Sequence, residues 1–230
     1  MNHFVFSALL GSIFSLSTAM VLWLSGRSRW INQLGALYWF SIGFWALTVG
    51  LQVHLISWLT PFWWGWFLHL GCTFIPVLMF HFAVVFAGKR NHATQLTLKA
   101  AYGIVIVFNL LNLLPGFFTN GIVYRDAYAY PKPALLYPLY FLLFVILIMW
   151  GTVLLARRVP SLSGRQKIIL KFLIIAHAFA YLGGMDNFLI MVDIRIPPLY
   201  PLGLYLIPIY ALAMIYATVR HQVLEITELP

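Results

Sequence analysis

The charged residues of this chain fall in short clusters between apolar stretches of about twenty residues, the length at which a helix crosses the hydrocarbon core of a bilayer. Seven such stretches can be read, at residues 4–24, 34–57, 63–87, 101–118, 135–156, 170–192 and 199–219. Only 8% of the 230 residues are charged and 63% are hydrophobic, whereas a soluble domain carries about a quarter of its residues charged. Such a chain cannot cover a water-facing surface, so its apolar excess faces lipid. No ten-residue alternation of a membrane barrel appears, and hydrocarbon forbids unpaired backbone, so each stretch is expected to be a helix. No connection is long enough to hold a soluble domain. The expected fold is all-α: one integral-membrane seven-transmembrane helix bundle over residues 1–230, with 220–230 beginning a cytoplasmic connector.

Lysine and arginine set the direction. One set of connections and the tail holds Arg27, Arg29, Lys89, Arg90, Lys99, Arg157, Arg158, Arg165, Lys167, Lys171 and Arg220, while the other holds only Arg125, Lys132 and Arg195. Basic residues gather on the cytoplasmic side, which puts the N-terminus outside and the C-terminus in the cytoplasm. The net charge of +9 then reads as a topology signal with some attraction to anionic headgroups. Nucleic acid is set aside as a partner, because a basic footprint needs a contiguous solvated face. The opening MNHFVFSALL has no positive n-region, so the first span is expected to remain rather than be cleaved as a signal peptide. A single cysteine, Cys72, makes neither an intrachain disulfide nor a zinc site and reads as a small buried hydrophobe. Trp58, Trp63, Trp64 and Trp66 flank the second connection, as rings at headgroup depth do; a binding cage is the sharper reading of the same cluster.

Polar groups inside the membrane carry the functional information, because they are costly and face the bundle interior. Asp186 stands in the outer half of the sixth span, where an ionised carboxylate costs about 2.5–3.5 kcal/mol. His54 and His69 are expected at similar depth. Two readings stand: an externally open cavity ringed by His54, Trp66, His69, Asp186 and Asn187, or a hydrogen-bond cluster that fixes packing. His81 and His177 lie in the opposite halves of their spans and read as satisfied core histidines rather than haem ligands. Retinal chemistry needs a lysine in the last span, and LYPLGLYLIPIYALAMIYATV has none. No G-x-S-x-G, H-E-x-x-H or Walker loop supports an enzyme, so no cofactor is expected. Pro76 and Pro208 read as helix kinks. The outer segments TNGIVYRDAYAYPKPA (119–134) and DIRIPP (193–198) lie where a pocket mouth would be, with interfacial tyrosines the plainer reading of the first.

Residues 165–226 carry an ordered motif string. Arg165 and Gln166 open the sixth span; Gly183, Gly184, Asn187 and Phe188 follow; then come Pro198, Tyr200, Pro201 and Gly203; the last span ends in Tyr216, Ala217, Arg220, Leu224, Glu225 and Ile226. This string resembles the end of the N-terminal seven-transmembrane region of bacterial sensor histidine kinases, with Glu225 where that family usually has Asp. FIPVLMFHF, from Phe74 to Phe82, is similar to the family's Pro and His-Phe pattern in the third span. The other spans match in number and orientation.

The resemblance implies a signal-input module in a bacterial inner membrane that senses a small ligand or a membrane state. Helix seven would relay the signal to a cytoplasmic histidine kinase or similar output domain, with Gly183, Gly184, Tyr216, Arg220, Leu224 and Glu225 as relay residues. The implied partners are the bilayer, an unidentified small ligand, an output domain in cis or in trans, and a second copy of the chain. A kinase of this type continues into phosphoacceptor and ATP-binding domains. His221 lacks a phosphoacceptor context and reads as part of the helical connector. The rival expectations are a small-molecule transporter and a haem-containing redox protein.

Overall fold

A computed structural model describes residues 3–26, 29–52, 55–56, 60–89, 91–125, 128–162, 164–196 and 202–221. Seven α-helices of sixteen residues or more lie among them: α1 (His3–Ser25), α2 (Trp30–Gly50), α3 (Pro61–Phe86), α4 (His92–Leu111), α5 (Tyr137–Arg158), α6 (Gly164–Leu189) and α7 (Leu206–His221). All except α2 meet the length and hydropathy needed to cross a membrane, α7 doing so together with the 3-10 turn Gly203–Tyr205 before it. Trp30, Trp39, Trp45 and Tyr38 lower the hydropathy of α2, as do Asn32 and Gln33. Of these, Tyr38, Trp39 and Asn32 point inward and are buried.

Isoleucine, leucine, methionine and phenylalanine cover much of the outer surface. Ile13, Met20, Leu110, Met149, Ile168, Phe179 and Ile209 are each more than half exposed. Contiguous apolar surface on this scale is not sustained in water, and a bilayer is the solvent that accepts it.

Consecutive helices alternate in direction, and their packing closes a ring. α1 packs on α2, α2 on α3, α3 on α5, α5 on α6, α6 on α7, and α7 returns to α1. α4 stands outside the ring against α3. The burial follows: 78% of the apolar window of α3 is buried against 33% for α4. A polar strap holds α4 in place, with Asn109 Nδ2 donating to Thr73 Oγ1 at 2.8 Å and Thr73 Oγ1 donating to the carbonyl of His69 at 2.7 Å.

The residues 119–134, expected as a plain connection, form a β-hairpin of β1 (Thr119–Arg125) and β2 (Tyr128–Pro133). It sits across one end of the bundle. The Ala129 amide donates to Gln52 Oε1 at 3.0 Å, and the buried Tyr130 ring meets Phe4 at 6.0 Å. The start of α1 meets the start of α7 at the same end, where His3 Nδ1 and Tyr205 Oη are 3.4 Å apart. Lys132 lies on this hairpin end. The connections after α1, α3 and α5, which carry Arg29, Lys89 and Arg158, fall at the opposite end.

The boundaries of α2, α4, α6 and α7 depart from the apolar stretches, α6 opening at Gly164 rather than 170 and α7 at Leu206 rather than 199. α4 begins nine residues before the expected 101, because Asn91 caps a polar first turn by accepting from the Thr94 amide at 2.9 Å. It stops at Leu111, before Pro115, and Gly116 takes a positive φ of 88°. Phe118 is apolar because it folds back under the hairpin, fully buried, and not because it continues a helix. α2 ends at Gly50, where the apolar stretch runs to 57; beyond the turn at Leu51 the chain is helical again at Gln52, Leu55 and Ile56, the Leu55 amide donating to the Leu51 carbonyl at 2.9 Å. Trp64 Nε1 donates to the Thr48 carbonyl at 3.1 Å, occupying an acceptor in the last turn. Trp64 is therefore buried, 1% exposed, and is no interfacial ring, whereas Trp63 is 45% exposed; Trp58 lies outside the described residues. Pro76 sits inside a continuous α3. Pro208 sits in the first turn of α7, and its missing N–H coincides with the change from the 3-10 turn Gly203–Tyr205 to α-helix.

Candidate functional site

The ring surrounds a cavity of about 70 Å³ in the half of the bundle nearer the hairpin. A single water needs roughly 10–15 Å³. α2 supplies Tyr38, Ile42 and Trp45, and α3 supplies Leu68, Cys72 and Ile75. Tyr137 and Phe144 come from α5, Tyr181, Gly184, Asn187 and Phe188 from α6, and Ile207 and Tyr210 from α7. The lining is aromatic and aliphatic, and none of the described lining residues is charged.

Its polar groups are chiefly the hydroxyls of Tyr38, Tyr181 and Tyr210, and the i, i+4 spacing of His177 and Tyr181 places both on one face of α6. Each reaches a different helix. Tyr181 Oη lies 3.0 Å from Tyr38 Oη on α2, and His177 Nδ1 lies 3.2 Å from Tyr210 Oη on α7. The two rings on α6 are themselves 4.5 Å apart. A polar chain therefore runs from α2 through α6 to α7 along the cavity wall. A second cavity of about 20 Å³ lies beyond it, lined by His177, Tyr210 and Met214. That is room for one water beside His177 Nε2, which has no protein hydrogen-bond partner.

At the hairpin end an aromatic layer closes the cavity. Tyr137 donates to the Met191 sulfur at 3.0 Å, and Phe118 stacks 5.4 Å from both Tyr137 and Tyr140. His69 belongs to this layer. Its ring meets Phe118 at 5.0 Å and Tyr137 at 5.6 Å, and Nδ1 pairs with the Gly65 carbonyl at 2.7 Å.

The residues singled out in the sequence thus separate. Asn187 lines the cavity, with Nδ2 donating to the Gly184 carbonyl at 3.3 Å. His69 stands behind Tyr137. Trp66 is half-buried between Trp63, at 6.1 Å, and Phe67, at 5.1 Å. His54 lies outside the described residues, as does the side chain of Asp186, whose backbone belongs to α6. His81 is elsewhere, 3.0 Å from Tyr102 Oη between α3 and α4. The cavity tyrosines were not singled out. Their signal is position: Tyr38, Tyr181 and Tyr210 fall inside their spans rather than at the ends, where interfacial tyrosines belong.

The two adjacent glycines expected as relay residues differ. Gly183 lies directly against Gly203, in the turn that opens α7. A Cβ on Gly183 would sit 2.9 Å from Leu206 Cδ1 and 3.0 Å from the Gly203 carbonyl carbon, and one on Gly203 would sit 2.8 Å from the Gly183 carbonyl carbon. Neither position has room for a side chain. A Cβ on Gly184 would meet nothing within 4 Å. Tyr216 and Arg220 are exposed one turn apart on α7; Leu224 and Glu225 lie outside the described residues. Comparison with protein-family models and with curated proteins returns no match.

Proposed function

We propose that this chain is a seven-span sensor module of the sensor-histidine-kinase type, with its N-terminus outside and its C-terminus in the cytoplasm, working in a bacterial inner membrane. A small molecule in the cavity is its signal, and α7 is its output. The observation that carries this reading is that Tyr210 belongs to both parts: it lines the cavity and, through His177, ties α7 to α6. A ligand that competes for the Tyr181 or Tyr210 hydroxyl loosens that tie. The Gly183–Gly203 contact holds α7 from the other direction, and a sensor of this kind requires a second packing of α7 within a few kcal/mol of the first. The resemblance at residues 165–226 and the sorting of basic residues support the same orientation.

The test is a fusion of the whole chain, at residue 230, to a cytoplasmic histidine kinase domain, assayed for autophosphorylation in membrane vesicles. Tyr210→Phe and Gly183→Ala are expected to shift basal autophosphorylation about fivefold or more, the effect of about 1 kcal/mol on a two-state equilibrium. Unchanged output from both variants, or a C-terminal tag reached by protease from outside intact cells, overturns the proposal.

A further inference from the structure

We infer that the cavity admits a neutral, slender lipophile with one hydrogen-bonding head, such as an alkyl alcohol, which enters sideways from the bilayer between α5 and α6. As the identity of a signal this rests on the sensor reading above; as a binding site it stands on the cavity alone.

The lining sets the chemistry. A charged ligand would find no opposite charge among the described lining residues, at a depth where unpaired charge is strongly disfavoured. A single hydroxyl or carbonyl is well served. The hydroxyls of Tyr38, Tyr181 and Tyr210 line the cavity and keep acceptor capacity beyond the bonds they make with one another and with His177. The volume sets the size, being about half of the roughly 150 Å³ that holds a benzene molecule in an apolar core, so the cavity takes the hydroxyl head and the first few methylenes while the rest of the chain lies in a seam between helices.

The seams set the route. The hairpin end is closed by the Phe118, Tyr137 and Met191 layer. The α6–α7 seam is closed by backbone contact at Gly183 and Gly203. Between α5 and α6 the packing is the sparsest in the ring, and at the level of the cavity rings bridge them: Phe188 lies 4.9 Å from Phe144 and 5.0 Å from Phe141, and Phe144 lies 5.8 Å from Tyr181. Gly184 is on this same face, three residues after Tyr181 and four before Phe188, with open space where a Cβ would be. Tyr181, Gly184 and Phe188 line the cavity and are each only half-buried, while Phe179 and Leu182 beside them face lipid. Phe188 is therefore a ring that can swing, next to a gap, in a wall that borders the bilayer.

The test uses the whole chain in phosphatidylcholine vesicles with decanol carrying a photoactivatable diazirine on its chain, and maps adducts by mass spectrometry. Adducts are expected at Tyr38 and Trp45 inside, as well as at Phe179 and Leu182 outside. Gly184→Leu fills the gap and is expected to lower the inner adducts about tenfold while leaving the outer ones unchanged. Phe188→Ala widens the seam and is expected to raise the inner adducts. Inner adducts that are absent from the unmodified chain, or that respond to neither substitution, overturn the inference. A phosphatidylcholine with the diazirine in its acyl tail is expected to label only outside; equal labelling of Tyr38 by that tail assigns the site to a resident lipid and overturns the free-lipophile assignment. The kinase fusion separates the two proposals. Inner labelling with no response of the output to decanol retires the sensor reading and leaves the site. An output that responds to Gly183→Ala without inner labelling does the reverse.

Discussion

Replacing Gly183 by alanine adds one methyl group at a place where α6 and the start of α7 touch through backbone. The new Cβ would lie 3.0 Å from the Gly203 carbonyl carbon and 2.9 Å from Leu206 Cδ1, whereas favourable carbon contacts lie at about 3.5–4.0 Å. The helices must part by roughly half an ångström or more to admit it. Overpacking of this kind costs about 1–3 kcal/mol. Alanine also gains about 1 kcal/mol over glycine inside a helix, which would hide part of the loss. Gly184→Ala supplies the correction, since it carries the same propensity gain and meets nothing within 4 Å. The difference between the two variants isolates the contact at about 1–3 kcal/mol, or about 2–12 °C in melting temperature for a chain of this size. Cys72 reports it directly. It is the chain's single cysteine and is 6% exposed, so a maleimide dye that fluoresces on thiol addition follows unfolding in detergent. If both alanine variants melt together, α6 and α7 do not meet at these glycines and the reasoning fails.

Tyr38→Phe and Tyr181→Phe each remove one side of a single bond, so each is expected to cost about 0.6 kcal/mol, and the double variant no more than either. Additive losses in a detergent-denaturation cycle would show that the two hydroxyls do not pair. Trp64→Phe, which leaves the Thr48 carbonyl without its indole partner, is expected to cost about 1 kcal/mol or more, while Trp63→Phe at the exposed neighbour changes stability by less than about 0.5 kcal/mol. Equal effects in the Cys72 melt would remove the distinction between the buried and the surface ring.

Much of the architecture was legible because apolarity and helix length are coupled by the bilayer. The stretches 4–24, 63–87 and 135–156 lie within two residues of α1, α3 and α5 at both ends. The coupling fails where a helix continues past the apolar part, as α4 does into the polar turn that Asn91 caps, or where apolar residues serve a fold-back, as Phe118 does. The β-hairpin escaped notice because Pro131 and Pro133 within it argue against a strand; both are tolerated in β2, which pairs only with β1. At the site, the sequence marks out the residues most costly to bury, a carboxylate and histidines. Tyrosine is ambiguous in a membrane sequence, since the same side chain serves an interface or an interior, and only its depth within a span separates the two. Gly183 was legible as a close-approach position, but its partner was not: nothing in a local pattern says that a glycine twenty residues on, across a turn, will face it.

Because α7 closes the ring against α1, the barrel of helices around the cavity is not complete until the final helix has left the ribosome. α1, α2 and α3 are sequential neighbours and can associate as they are inserted. The closing seam joins residues such as His3 and Tyr205, two hundred positions apart, and must wait. Until then the cavity wall is open on the side that α7 will fill. Assembly therefore ends at the same helix that is proposed to carry the signal, so that maturation and signalling draw on one seam.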